Sequence, residues 1–231
     1  MALPQSLPLA LQHLEHKLRL LDASTLLARP KHGPLVGWPE LDALLGGQGL
    51  PKGLVELQAY GGLGGGSSVA LACVRAAHRA SPQAWCAWVD PGRSLYAPGV
   101  ALAGVSLARL LVVQPRYDQV LRTALRLVRA AAFETVVVDA EVASEHVGPG
   151  AHTALENTAR KLAMYAEDAG LTVLLLTHAG IRRRTPLPAV MRVELRREPG
   201  AICVQIAKEK AMHGARTGLL SWAQRPYGLC T

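Results

Sequence analysis

The chain has 231 residues, of which 50% are hydrophobic and 18% charged, with a formal net charge of +8. This length can bury one sizeable core and one short appendage. No apolar run reaches the ~18 residues of a membrane span, and the start lacks the basic flank and cleavage site of a secretory signal, which predicts a cytoplasmic protein with no membrane contact.

The positive charge is concentrated near the end of the chain. Residues 182–231 contain ten Lys or Arg and three Asp or Glu, a net +7, whereas residues 1–181 contain fifteen and fourteen, a net +1. A field of this kind attracts polyanions or acidic proteins. The alternative is charge that serves solubility, which is usually spread more evenly.

The opening segment predicts an amphipathic helical arm over residues 1–29, followed by a linker over 30–36. Its leucines recur at steps of four and three residues, which places them along one helical face. They are Leu7, Leu11, Leu14, Leu18 and Leu21. Such a stripe must be covered, either by the chain's own core or by another subunit or partner.

From residue 36 onward, predicted strands and helices alternate. The strands are Val55–Ala59, Trp85–Asp90, Leu110–Gln114, Thr135–Asp139 and Thr172–Thr177. The helices are Val69–Arg79, Val100–Leu107, Asp118–Ala132 and Ala154–Ala169. This alternation is typical of an α/β domain with a parallel sheet covered on both faces.

The last part of this domain changes to alternation with period two. Residues 191–196 and 202–208 read as two strands, and Glu198-Pro-Gly between them reads as a turn. We therefore expect an antiparallel hairpin at the sheet edge. The predicted core spans residues 37–223, with a tail over 224–231.

A glycine-rich segment follows the first predicted strand. Gly61, Gly66 and Ser68 have the spacing of the phosphate-binding motif G-x-x-x-x-G-K-[ST], but Ser67 stands where that motif has its lysine. Backbone N–H groups at the start of a helix can still bind an anion. Alternatively, the glycines only permit a tight turn from strand to helix.

The cysteines and histidines show no metal-ligand spacing. Cys73, Cys86, Cys203 and Cys230 are far apart in the sequence, which favours structural burial. We predict neither a metal nor a bound cofactor.

The order of these motifs resembles the RecA ATPase core over roughly residues 36–220. The lead-in Gly37–Gly53 is similar to the segment before that family's phosphate-binding loop, and Val136–Asp139 is similar to its Walker B strand. Lys208 and Lys210 resemble the paired lysines that such subunits extend into a neighbour's ATP site. The resemblance implies a RecA-like P-loop NTPase core with a mainly parallel sheet, an N-terminal helical arm and a C-terminal antiparallel hairpin.

A narrower resemblance covers residues 88–115, which are similar to the ImuA group. These are RecA-related accessory proteins of mutagenic translesion synthesis. The implied partners are RecA, an ImuB-type relative of Y-family polymerases and an error-prone DNA polymerase. SulA-type inhibitors of cell division share a similar core and remain an alternative.

Departures from the active family predict a protein that is not an enzyme. Besides Ser67, Gly92 stands where the family has the glutamate that orients water, and His178 stands at the position of the γ-phosphate sensor. Asp139 matches its expected carboxylate. Loss of the lysine and of the base removes both phosphate affinity and water activation. An active DNA-dependent ATPase is the alternative.

Two basic groups are candidate interfaces. Arg182, Arg183 and Arg184 stand where RecA-type proteins have a DNA-binding loop, and they predict weak, non-specific binding of single-stranded DNA. Trp222 and Tyr227 are the aromatic candidates nearby for base stacking. Lys208 and Lys210, on one face of a strand, could address a RecA subunit, or they could simply protect a sheet edge. Self-association is also possible.

Overall fold

The computed structural model describes residues 30–60, 65–140, 151–179, 186–209 and 215–222, with side chains except at 151–153 and 209. The compact unit that holds every described element begins at His32. The predicted arm over 1–29 and the predicted tail over 224–231 lie outside the described residues. Their boundaries, and that of the linker, stay predictions.

Eight strands within the described ranges form one sheet with the order β3-β2-β4-β5-β1-β6-β7-β8. The five strands from β3 to β1 and their neighbour β6 are parallel, whereas β6, β7 and β8 pair antiparallel. In chain order they are β1 Gly53–Tyr60, β2 Cys86–Val89, β3 Leu110–Val113, β4 Thr135–Asp139, β5 Thr172–His178, β6 Met191–Glu198, β7 Ala201–Glu209 and β8 Arg216–Ser221. The predicted α/β class with a mainly parallel sheet is confirmed.

Helices lie on both faces of this sheet. They are α1 Pro39–Leu44, α2 Gly66–Ala80, α3 Ala97–Leu102, α4 Val120–Arg129 and α5 Ala151–Ala169, with short 3-10 turns at Leu107–Arg109 and Tyr117–Gln119. In the part of the chain that is described, no helix has both the length and the apolar character to cross a membrane.

Two apolar layers flank the sheet. On one face, Leu57 of β1 and Val74 of α2 pack in a cluster with Trp38. On the other face, Leu54 of β1 packs with α4 and α5, where Val128 and Leu162 are fully buried. Because successive residues of a strand point to opposite faces, β1 contributes to both layers.

Most strand predictions are correct to within two residues, but one helix prediction is wrong. A helix over Val100–Leu107 was expected, whereas α3 begins at Ala97, with Pro98 in its first turn, and ends at Leu102. Gly104 then adopts a left-handed φ of 79°, which ends the helical path. A second difference is β8, which pairs with β7 and extends the expected hairpin to three strands.

Helix α1 was not predicted from the sequence. Its start is fixed by Pro39 in the first turn and by the Asp42 carboxylate, which accepts hydrogen bonds from the N–H groups of Val36 and Gly37 at 2.8 Å. The segment is too short for helical periodicity to reveal it, and these local polar contacts stabilise it instead.

The cysteines that the structure describes are free. Burial raises the pKa of both the Cys73 and the Cys86 thiol to about 12. Thiols with such a pKa are poor nucleophiles, so the predicted structural burial is confirmed for these two. Cys203 is half-buried, and Cys230 lies outside the described residues.

Candidate functional site

The carboxyl ends of the parallel strands meet at one edge of the sheet. The register pairs Val89 with Val138, Asp139 with Leu176, and Ala59 with His178. The buried Asp139 and the half-buried His178 therefore end adjacent strands. Crevices at the carboxyl ends of parallel strands are the usual ligand sites of α/β proteins.

Helix α2 begins at this edge, and glycines permit its close approach to the sheet. Gly65 has φ of 90°, and a Cβ atom there would lie 2.5 Å from Cδ1 of Ile202 on β7. A Cβ atom on Gly66 would lie 3.8 Å from Leu176, the residue that pairs with Asp139. The structure thus brings Gly66 and Asp139 beside the same leucine, while Gly61 lies outside the described residues.

The first turn of α2 carries the two predicted serines. Ser67 is exposed and Ser68 is half-buried. Gly65, the residue before the helix, makes no side-chain bond to its first N–H groups. The start of a helix is favourable for an anion, but the serine hydroxyl provides no positive charge to hold one.

The turn after β2 is held by a buried carboxylate. Asp90 is fully buried, and its two oxygens accept hydrogen bonds from Ser94 N, Ser94 Oγ and Leu95 N at 2.9, 3.1 and 3.0 Å. Gly92 lies exposed within this turn, beside Arg93 with a φ of 53°. Asp90 therefore shapes the turn, and Gly92 brings no side chain to it.

A second buried carboxylate, Glu56 at the centre of β1, was missed by the sequence analysis. Thr177 Oγ1 of β5 donates a hydrogen bond to one Glu56 oxygen at 2.9 Å, and Arg192 Nε of β6 donates to the other at 2.8 Å. Glu56 is fully buried, and 20% of the Arg192 side chain is exposed. These three residues form the Glu56 cluster, which joins three adjacent strands.

The basic residues near the end of the chain are partly engaged in structural contacts. Besides Arg192, Arg196 lies over the Tyr60 ring at 4.9 Å, and Arg197 lies over the Trp222 ring at 5.6 Å. Trp222 is only 9% exposed, and its ring centroid lies 6.0 Å from that of Trp38. The prediction that Trp222 is available for base stacking is therefore wrong, because core packing covers its ring.

The remaining interface candidates are only partly described. Lys208 is exposed on β7 and pairs with Arg192 across an irregular step in the ladder between β6 and β7. Lys210, Tyr227, and Arg182, Arg183 and Arg184 lie outside the described residues. Across the described ranges, no three His, Cys, Asp or Glu side chains lie together as metal ligands would.

Comparisons with known proteins identify the fold family. Residues 35–164, more than half of the chain, match the family described as the RecA N-terminal domain. The chain belongs to the RecA family. A similar protein is Protein RecA of Rhodopseudomonas palustris (strain ATCC BAA-98 / CGA009), with 36% identity over 105 residues. That match covers 45% of this chain and 29% of the RecA protein, so it shows the core and not the whole of RecA.

The first prediction concerns the Glu56 cluster. Glu56→Gln removes the carboxylate but keeps an acceptor for Thr177, which leaves the half-buried Arg192 without its counter-charge. Breaking a buried ion pair on one side costs about 3 kcal/mol or more. We expect the urea midpoint of the full chain to fall accordingly, measured by circular dichroism.

The matched control is Glu198→Gln at an exposed position of β6, which should change stability by less than about 0.5 kcal/mol. The double variant Glu56→Met, Arg192→Met removes both charges and should be more stable than Glu56→Gln. Equal midpoints for Glu56→Gln and the unchanged chain would show that the cluster does not hold the strands together.

Proposed function

We propose that this RecA-family chain is a non-enzymatic accessory protein of DNA damage tolerance that acts through docking and not through ATP hydrolysis. The observation that carries the proposal is the carboxyl edge of the sheet, where Ser67 and Gly92 are both exposed. At these two places the RecA-type pattern requires a lysine and a glutamate. Translesion synthesis in the bacterial cytoplasm is the setting that the resemblance of residues 88–115 to the ImuA group suggests.

The residues at this edge do not fit the chemistry of magnesium ATP. Phosphoryl transfer needs positive charge at the β- and γ-phosphates and a group that orients the attacking water. Asp139 keeps a carboxylate at the end of β4, whereas the Asp90 carboxylate at the end of β2 is fully buried and accepts three hydrogen bonds from Ser94 and Leu95. The N–H groups of α2 alone could bind phosphate, without accelerating hydrolysis.

The second prediction is that the purified chain has no ATP turnover of its own. Phosphate release should be equal for the natural chain and for Asp139→Asn, with or without single-stranded DNA. Ser67→Lys adds the missing charge and should tighten binding of a fluorescent ATP analogue, yet it should leave turnover absent because Gly92 still offers no carboxylate.

The competing function is a DNA-dependent ATPase of the ordinary RecA kind. Turnover that rises with single-stranded DNA and disappears in Asp139→Asn would establish that function and remove the proposal of a non-enzymatic accessory.

The basic sequence Arg182–Arg184 supports a second part of the proposal, weak contact with DNA. Its neighbourhood in the sequence carries most of the net charge. Three adjacent arginines neutralise phosphates without reading bases. Since the Trp222 ring is covered, stacking on that residue adds nothing, and we propose that binding is electrostatic and non-specific.

The third prediction tests this contact by fluorescence anisotropy with a labelled oligothymidine. Changing Arg182, Arg183 and Arg184 together to alanine should weaken binding about tenfold at low salt. It should also reduce the slope of log affinity against log salt by about 2, since each lost phosphate contact contributes about 0.7.

A matched triple variant is available on exposed helical arginines, Arg122→Ala, Arg126→Ala and Arg160→Ala, with the same loss of charge. It should weaken binding much less than the loop variant. Equal effects of both triple variants would mean that only net charge matters and that the loop is not an interface.

The third part of the proposal is docking onto RecA through Lys208 and Lys210. Lys208 is exposed on β7, where its backbone pairs with Arg192 of β6. A lysine pair can present positive charge to a neighbouring subunit's nucleotide, much as an arginine finger does. This chain would then cap or modulate a RecA filament and bring an ImuB-type protein and an error-prone polymerase to it.

The fourth prediction concerns this docking. Lys208→Glu with Lys210→Glu should abolish co-sedimentation with RecA filaments formed with ATP, and it should lower damage-induced mutation frequency in cells. Charge reversal at the exposed Arg160 and Lys161 of α5 is the control and should leave both readouts unchanged. Unaltered co-sedimentation of the lysine variant would remove RecA docking from the proposal.

A further inference from the structure

Helix α2 contains a buried positive charge without a negative partner in the described part of the chain. Arg75 is only 7% exposed. Its single described hydrogen bond runs from Nη2 to the carbonyl of Gly37 at 3.5 Å, and its Nε atom has no acceptor among the described residues. Burial lowers the pKa of Arg75, and the nearby positive charge of Arg79 lowers it further by a smaller amount.

Two glycines, Gly37 and Gly104, leave room for the Arg75 side chain. A Cβ atom on Gly37 would lie 3.1 Å from Nη2, and a Cβ atom on Gly104 would lie 3.0 Å from Cδ. Both glycines have a left-handed φ, 76° and 79°, that other residues rarely adopt. The Arg75 side chain is thus enclosed between two turns that only glycine fits well.

Buried charges in proteins are usually paired, because burial of a cation without a partner is strongly unfavourable. Asp42 bonds the N–H groups of Val36 and Gly37 and therefore lies in the same region, but no ion pair joins it to Arg75. An unpaired guanidinium of this kind is suited to bind an anion that is not part of this chain.

We propose that Arg75 anchors a docking site for an acidic side chain of a partner protein. The surroundings favour a protein carboxylate over free phosphate. Leu35 and Leu102, each two residues from one of the glycines, are 54% and 60% exposed. An acidic residue flanked by apolar residues could pair with the single guanidinium while its neighbours contact the exposed leucines. A phosphate site, in contrast, normally offers several polar donors.

The fifth prediction starts with stability. Arg75→Met keeps the length of the side chain and removes the unpaired charge, so the thermal midpoint of the full chain should rise by about 3–6 °C. Arg122→Met, at an exposed position of α4, should change the midpoint by less than about 1 °C. A lower midpoint for Arg75→Met would show that another carboxylate of this chain already neutralises Arg75, and it would overturn the proposal.

Binding is tested with a random library of twelve-residue peptides on phage, selected on the natural chain and counterselected on Arg75→Met. Enriched peptides should carry Asp or Glu between apolar residues. They should bind the natural chain at least about tenfold more tightly than Arg75→Met, and the amide versions of the same peptides should lose this preference. Peptides without an acidic residue, or peptides that bind both proteins equally, would overturn the proposal. So would a midpoint that rises with acetate or phosphate when no acidic peptide binds, since the site would then take a small anion.

Discussion

The structure depends on one buried carboxylate. Strand β1 lies between β5 and β6 and pairs parallel with both, one strand before the sheet turns antiparallel at β6 and β7. Glu56 at its centre is fully buried, and Thr177 and Arg192 bond its two oxygens, one from each neighbouring strand. These bonds fix three strands relative to one another. Helix α2 follows β1 in the chain, and β7 pairs with β6. The Glu56 cluster, by fixing β1, β5 and β6, therefore also positions the start of α2, the end of β5 and the strand that carries Lys208.

The glycine-rich segment has a structural reason that does not involve nucleotide. Gly65 lies so close to Ile202 that any side chain would collide with it, and its φ of 90° excludes most other residues. The same contact packs the start of α2 against the antiparallel strand β7. The left-handed φ and the close packing of Gly65 therefore favour glycine at this position whatever residue stands at position 67.

Sequence patterns predicted the parallel strands well, since each is a short apolar run such as Thr135–Asp139, which the structure reproduces to the residue. They failed where the secondary structure of a segment depends on local polar contacts or on a strand that is distant in the sequence. Six residues of α1 are too few for a helical period, and β8 is a strand chiefly through its pairing with β7. The burial of Glu56 and Arg75 was not predicted, for another reason. A charge that alternates with apolar residues normally indicates a solvent face, and burial depends on which strand or turn covers it.

The guanidinium groups of Arg192 and Arg75 are both largely buried, but only the first is paired with a carboxylate. Arg192 has a carboxylate at 2.8 Å and keeps a fifth of its side chain in water, so its charge is compensated within the fold. Arg75 is more deeply buried, and its closest described acceptor is a carbonyl at 3.5 Å. Both sites require specific neighbours, two strands in one case and two glycine turns in the other. Since folding gains nothing from an unpaired charge, the arrangement around Arg75 is better explained by a partner that supplies the missing carboxylate.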